Sequence, residues 1–407
     1  MRQSNVPKAA KKAAKKPAKK AAKKLVARSR AVKPAEPTNG SQPVTSQNEE
    51  VLGENTAPEL TENNVMFLIG AGCSAAAGIK MANQMVEDIE QFVKDKKEWE
   101  KFSKLYYYLK SAILYSDGIG GNFKTTLNVE RLVVVLTELG KKEQNIAYPF
   151  IGNWNTRLME VAGKGFEDIE SFQDLIKKQL FDWINIGDFS GAEYYSGFGR
   201  FKREFGYPIR IFSFNYDLCI ETVLKDLNLE LGFDPKTKGW LYSNFEPNSD
   251  KDIDIYLYKL HGSIDWERAT HKGNVLEKRT GPGSGAELIF GTDAKLTSTD
   301  PYLYYVFEFR KYSLSEDCKL IIVIGYSFGD DYMNKLVAQA LSASQQRNVL
   351  IIDKFNPDGL KQIFVSKYGV NGDQVKIWQR SADDFLRDDL SLKFIADYLP
   401  SSDESPF

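Results

Sequence analysis

Six short apolar runs, each ending on a small or polar residue and most followed by a helical pattern, constrain the fold of this chain more than any other feature. They are VMFLIG (65–70), IRIFSF (209–214), IYLYKL (255–260), KLIIVI (319–324), NVLII (348–352) and QVKIW, which begins at Gln374. Runs this short and this rich in β-branched and aromatic residues are strands, and a strand apolar on both faces needs cover on both. Helical patterns such as DLCIETVLKDL, DDYMNKLVAQAL and DDFLRDDLSLKFIADYL supply that cover. The alternation predicts an α/β fold, a mostly parallel sheet of about six strands with helices on both faces, over residues 64–400. Between the first two runs no comparable strand occurs. EKFSKLYYYLKSAILY, NVERLVVVLTEL and IESFQDLIKKQLFDWI instead carry helical periodicity, which predicts an inserted helical subdomain at about 90–205. Its Tyr106, Tyr107, Tyr108 and Tyr115 read either as an oligomer surface or lid, or as core.

The front of the chain is different in kind. The formal net charge is −1, yet residues 1–33 hold 13 of the 54 Lys and Arg and no acid, leaving 41 basic against 55 acidic residues in the remainder. Lysines in KAAKKAAKKPAKKAAKK (8–24) are spaced alternately three and one apart, and Pro17 interrupts any helix. Such a segment repels itself and buries nothing, so it reads as a disordered arm for DNA or another polyanion. Binding of that kind is indifferent to sequence and weakens steeply with salt. A solubilising tail without a partner is the alternative. Residues 34–63, rich in Pro, Thr, Ser, Asn and Glu, read as a flexible linker.

Cys73, Cys219 and Cys318 lie far apart, which indicates neither a disulfide framework nor a zinc site, and no metal is expected. No run of 18 apolar residues and no secretory h-region occurs. The expectation is a cytoplasmic protein without membrane contact, nucleoid-associated if the basic tail engages DNA.

In parallel sheets ligands bind beyond the carboxyl ends of the strands, so the residues just after each run matter most. After the first comes GAGCSAAAG (70–78), in which Gly70, Gly72 and Ala75 fit the spacing of a dinucleotide loop. Glycines there let a backbone, including that of Ala71, approach a pyrophosphate at a helix N-terminus, and Ser74 offers a hydroxyl; the fold class is then Rossmann-like. A tight turn with small residues for packing explains the same loop. No ribose-binding acid occurs about 20 residues on, unlike a dehydrogenase. Further ends carry Asn215, Tyr216 and Asp217; His261, Gly262 and Ser263; Gly325, Tyr326, Ser327, Phe328 and Gly329; and Asp353. Each has a structural explanation, as a helix cap, a satisfied imidazole or a turn. Their convergence on one crevice favours a site. His261 is one of two histidines, the other being His271 in a polar loop.

In that order GAGCSAAAGI, FNYD (214–217), KLHGSI (259–264) and VIGYSFGDD (323–331) resemble the nucleotide loop, asparagine motif, histidine motif and second glycine-serine loop of the sirtuin superfamily. The forms FNYD and GYSFGD and the helical insertion are similar to bacterial sirtuin-like proteins, several of which are NAD-degrading antiphage effectors. The resemblance implies that NAD is the substrate and that Asn215 and His261 form the catalytic pair. It implies that Gly70, Ala71, Gly72 and Ser74 belong to the loop that holds the pyrophosphate, that Asn215, Asp217 and Gly325 belong to the NAD site, and that Ser327 and Asp353 lie near the adenosine ribose. Two departures tell against peptide deacylation. The four-cysteine zinc module is absent, and the Asp-Phe-Arg element after the first glycine loop reads Ile79-Lys80-Met81.

Cleaving the bond between nicotinamide and ribose releases a neutral base, so the leaving group needs no general acid. What the site must do is stabilise an oxocarbenium-like centre and deliver a nucleophile. Asn215 suits a ribose hydroxyl or the attacking water. The proton falls to His261, since the ordinary histidine pKa of about 6.5 lets an imidazole accept one near neutrality. The expected activity is an NAD glycohydrolase giving nicotinamide and ADP-ribose, or a cyclic product if an adenine nitrogen attacks. The alternative is a non-catalytic module that senses NAD or a related nucleotide. Gly325-x-Ser327-x-Gly329 mimics a hydrolase elbow, but both histidines precede the serine, which is the wrong order for that fold. A homo-oligomer is compatible with all of these readings.

Overall fold

The computed structural model describes residues 60–400 except 122, 124–125, 152–153, 164, 247–250, 270–274, 282, 284–285, 287 and 289–299. The lysine-rich tail, the linker as far as residue 59 and His271 lie outside the described residues.

Seven parallel strands form the central sheet. They are β1 (Val65–Ile69), β2 (Ile209–Ser213), β3 (Leu229–Glu230), β4 (Ile255–Lys259), β7 (Leu320–Ile324), β8 (Asn348–Ile352) and β9 (Val375–Trp378), in the order β3-β4-β2-β1-β7-β8-β9. All five residues of β1, β2, β4, β7 and β8 are buried, which is why these runs read as continuously apolar rather than alternating. Sequence predicted about six strands. The seventh, β3, is two residues at the sheet edge, too short to leave a periodic signature. A separate antiparallel ribbon pairs β5 (Trp266–Ala269) with β6 (Val275–Lys278).

The helical region has a core of its own. Met85, Val86, Ile89 and Val93 line one face of the helix Ala82–Asp95, at the spacing that gathers them on a single stripe. They pack with Trp99, Phe102, Leu105, Leu109, Leu132, Leu136, Phe172, Ile176, Leu180 and Trp183 from the later helices of this layer. Asn128 caps the helix Val129–Gly140 through a 2.8 Å bond from the Arg131 N–H. Tyr106 is core, whereas Tyr115 is 71% exposed.

The expected insertion at 90–205 differs from this layer at both ends. Its first helix begins at Ala82, and the helix Ser196–Phe205 buries Phe198, Phe201 and Phe205 in the core of the sheet instead. Phe67 of β1 meets Phe198 and Phe201 edge-on, at centroid distances of 5.1 and 5.5 Å. Periodicity identifies a buried helix face but not which core receives it.

Among the described residues no helix is long and apolar enough to cross a membrane.

Candidate functional site at the strand ends

From β1 the chain builds outward on one side of the sheet, through β2 and β4, and then returns to β1's other edge at β7. That reversal makes the carboxyl ends of β1 and β7 the switch point where such sheets open a crevice. The two loops there touch backbone to backbone. The Gly72 N–H donates to the Gly325 carbonyl at 2.9 Å, and the Gly70 N–H donates to the Ile324 carbonyl at 3.0 Å. A Cβ on Gly70 would stand 2.7 Å from the Gly325 oxygen, one on Gly72 2.9 Å from the same atom, and one on Gly325 2.3 Å from the Cys73 nitrogen. Gly325 also has φ +59°, in the left-handed region.

These contacts already engage two of the first loop's N–H groups. The Gly70 and Gly72 N–H groups hold the two loops together and do not stand open to a pyrophosphate. Nor does the loop run straight into an α-helix. It forms two 3-10 turns, Ala71–Cys73 and Ala75–Ala77, ended by Gly78 at φ +87°, and the helix starts only at Ala82. The helix N-terminus invoked for the pyrophosphate is therefore displaced from the loop. Gly70 is buried at the entrance of this turn, and Ala71 within it is exposed.

Ser74 is fully buried, not a free donor. Its Oγ donates to Asp217 Oδ2 at 2.7 Å and lies 2.9 Å from the Asn215 Nδ2 and 2.8 Å from the Tyr195 hydroxyl. A serine hydroxyl has one hydrogen. With that hydrogen on the carboxylate, Ser74 accepts from both other groups, and no capacity remains for a ligand. The same reasoning orients Asn215, whose amide N–H must face Ser74 and whose Oδ1 must face away. That Oδ1 is buried and has no hydrogen-bond partner among the described residues. Asp217 accepts the Cys219 N–H with its other oxygen at 3.0 Å. It thus serves as a turn and as the anchor of Ser74.

His261 comes directly after Leu260 at the end of β4, in a turn that Gly262 closes at φ +88°. The residue is 6% exposed, and its ring packs edge-on to Phe214 at 4.9 Å. Its Nδ1 lies 3.4 Å from the Tyr216 hydroxyl, and its Nε2 lies 3.8 Å from Asp330 Oδ2. Because β2 and β4 are neighbours in the sheet, Asn215 and His261 stand at adjacent strand ends, linked by Tyr216. Ser327 is exposed on the loop after β7. Asp353, at the end of β8, accepts the N–H groups of Phe355 and Asn356 at 2.8 and 2.7 Å and shapes the turn there. The structure thus gathers Asn215, Asp217, Ser74 and His261 on one side of the crevice, and places Ser327 and Asp353 at the ends of β7 and β8 on the other.

Lys259 is a residue that sequence reasoning passes over. Only 1% exposed, its ammonium bonds the Asp217 carbonyl, Glu221 Oε1 at 2.9 Å and Ser263 Oγ at 2.8 Å. Burial opposes its charge, but the carboxylates of Glu221, Asp265 and Asp217 outweigh that and hold its pKa above the ordinary lysine value. All three donors are used, so Lys259 ties the asparagine loop to the histidine loop. Nothing in KLHGSI marks the lysine as buried. Tyr195, whose hydroxyl meets Ser74, and Asp330 escape the sequence likewise. The GDD run signals a helix cap at Asp330 but not its second neighbour.

The helical layer reaches this side of the crevice. Tyr216 and Leu218 of the asparagine loop, and Ile264 just past the histidine turn, pack into its core.

Residues 209–371 match the family model of the SIR2-like domain, a family whose members bind NAD. The matched span runs from β2 through the asparagine, histidine and second glycine loops, and the first glycine loop precedes it. No curated protein matches the sequence. The buried Oδ1 of Asn215, without a hydrogen-bond partner among the described residues, is an acceptor that a hydroxyl such as that of a ribose fits. Residues 209–371 thus carry a SIR2-like domain, which supports the resemblance to the sirtuin-like proteins of the SIR2 superfamily.

Proposed function

We propose that the protein is an NAD glycohydrolase that cleaves the N-glycosidic bond of its substrate with water, giving nicotinamide, ADP-ribose and a proton. The observation that carries this reading is the Asn215 carboxamide. Ser74 fixes its nitrogen, and its oxygen is left as a buried acceptor at the strand end next to that of His261. A preoriented acceptor at the reacting ribose needs no reorganisation as positive charge develops. As the ribose–nicotinamide bond breaks, its electron pair goes to the pyridinium nitrogen and the base leaves neutral. Water bonds to the ribose carbon, and its proton passes to His261 and on to solvent. With the adenine nitrogen as nucleophile the same site would give a cyclic product.

The test is NAD turnover by the full-length protein, with nicotinamide and ADP-ribose separated by chromatography, alongside Asn215→Ala and His261→Ala. General-base removal is expected to lower turnover by about 10²–10⁴-fold. Turnover that survives both substitutions would overturn the assignment. Retained NAD binding without turnover in the wild type would favour the sensing module instead. Several of the bacterial sirtuin-like proteins this chain resembles act in antiphage defence, and the same role is proposed here: infected cells should lose NAD with the wild type and keep it with His261→Ala.

The basic segment 8–24 is proposed to tether the enzyme to DNA or another polyanion, on the strength of its nine lysines. DNA retention should fall steeply as salt rises and vanish when residues 1–33 are deleted. Retention unchanged by the deletion would remove the idea.

A further inference from the structure

Asp330 has two carboxylate oxygens with two different neighbours. Its Oδ1 caps the helix Asp331–Ala343, accepting the N–H groups of Tyr332 at 3.1 Å and Met333 at 3.2 Å. Its Oδ2 faces His261 Nε2 at 3.8 Å, with both side chains buried. The cap alone explains a carboxylate or an amide at this position. It does not explain why the second oxygen is turned toward an imidazole.

The surroundings hold that arrangement in place. The Asp330 N–H donates to the Tyr326 hydroxyl at 2.9 Å, and that hydroxyl donates to Asn334 Oδ1 at 2.9 Å. Asn334 in turn donates to the Phe328 carbonyl at 2.8 Å. The Tyr326 ring stacks on Phe214 at 4.4 Å, and Phe214 is the ring against which His261 packs. The second glycine loop and the histidine turn are therefore registered to each other through one aromatic stack and one carboxylate.

We propose that Asp330 is the positioning residue of His261, fixing its ring and stabilising the imidazolium formed when it accepts a proton. This rests on the hydrolase reading for its purpose, although the pairing itself can be tested without it. A carboxylate within 4 Å favours the charged form of an imidazole. The other groups around the ring come from three elements. Tyr216 from the asparagine loop approaches Nδ1. Lys259, on the strand leading to the turn, is tied to Asp217, Glu221 and Ser263. Burial, with a smaller contribution from the charge of Glu130 at the start of the helix Val129–Gly140, raises the pKa of both Tyr216 and Tyr326. Asp330 is the carboxylate that meets the ring at the nitrogen opposite Tyr216.

The experiment uses the full chain with Asp330→Asn and Asp330→Ser. Both replacements still cap a helix N-terminus, so neither variant removes the structural role. Imidazole proton NMR follows the titration of His261, and a His271→Asn background assigns the signal because the chain has only two histidines. Both variants are expected to lower the His261 midpoint by about one unit, a tenfold change in proton affinity. In turnover assays the acid limb of kcat/KM should move the same way, to lower pH, with a lower plateau. A midpoint that stays put in both variants overturns the proposal, even if His261→Ala abolishes turnover. A midpoint that falls while the wild type fails to cleave NAD upholds the pairing and overturns the hydrolase reading.

Discussion

The two sides of the crevice are built by opposite means. On the β1 and β7 side, Gly70, Gly72 and Gly325 bring two loops together by having no side chains, and the contact is carbonyl against backbone. On the β2 and β4 side, side chains make the contact: Ser74, Asn215, Asp217 and Tyr195 around one hydroxyl, and Lys259, Glu221 and Ser263 around one ammonium. The first side tolerates no added atom, whereas the second tolerates no lost partner. Damage to the second can be compensated by replacing both members of a pair, because what failed was a pairing. Damage to the first has no such remedy, because the obstructing atoms belong to the main chain.

Lys259→Ala is expected to have the larger effect. It removes a buried cation and leaves Glu221 and the Asp217 carbonyl without their donor. Breaking one partner of a buried ion pair typically costs about 3–5 kcal/mol. Denaturant unfolding of the single variant should show a loss of that size. The double variant Lys259→Met with Glu221→Leu should recover most of it, since a buried pair replaced by apolar groups of similar volume is often neutral. Turnover should not recover with it, because the asparagine and histidine loops would still lack their common tie. A single variant as stable as the wild type would mean that the ammonium fastens nothing, and the contrast between the two sides would fail.

Legibility in the sequence divides along the same line. The glycine side announces itself, since GAGCSAAAG and GYSFG after two apolar runs place both loops. Asn215 and His261 stand out by their position after strands and by the order of the motifs. The partners that orient them do not. Tyr195 comes from a 3-10 turn 121 residues away from Ser74, and Lys259 looks like any charged residue at a strand end. Local patterns report periodicity and turn chemistry, whereas a buried polar network is a property of three or four distant segments meeting. The same limit hides β3, whose two residues pair with β4 only at the edge, and assigns the helix Ser196–Phe205 to the wrong layer. The glycine loop is legible as a loop and misleading in detail. Its spacing does not reveal that the Gly70 and Gly72 N–H groups are already engaged by the end of β7 and the loop after it.

Gly325→Ala tests the side that the sequence makes most readable. The methyl group would meet the Cys73 nitrogen at 2.3 Å and the Gly72 carbonyl carbon at 2.5 Å, and neither can move without shifting the first loop. At φ +59° an alanine also carries the left-handed penalty of about 1 kcal/mol. Adding the backbone shift that overpacking forces, about 1–2 kcal/mol, gives a loss of about 2–3 kcal/mol by denaturant unfolding. That is somewhat less than for Lys259→Ala. The informative part is the rescue. Shrinking the nearest side chain, as in Cys73→Ala, should restore nothing here, because the clash is with the Cys73 nitrogen and not with its thiol. If Cys73→Ala does restore stability, the loops meet through side chains after all, and the two sides of the crevice obey one rule.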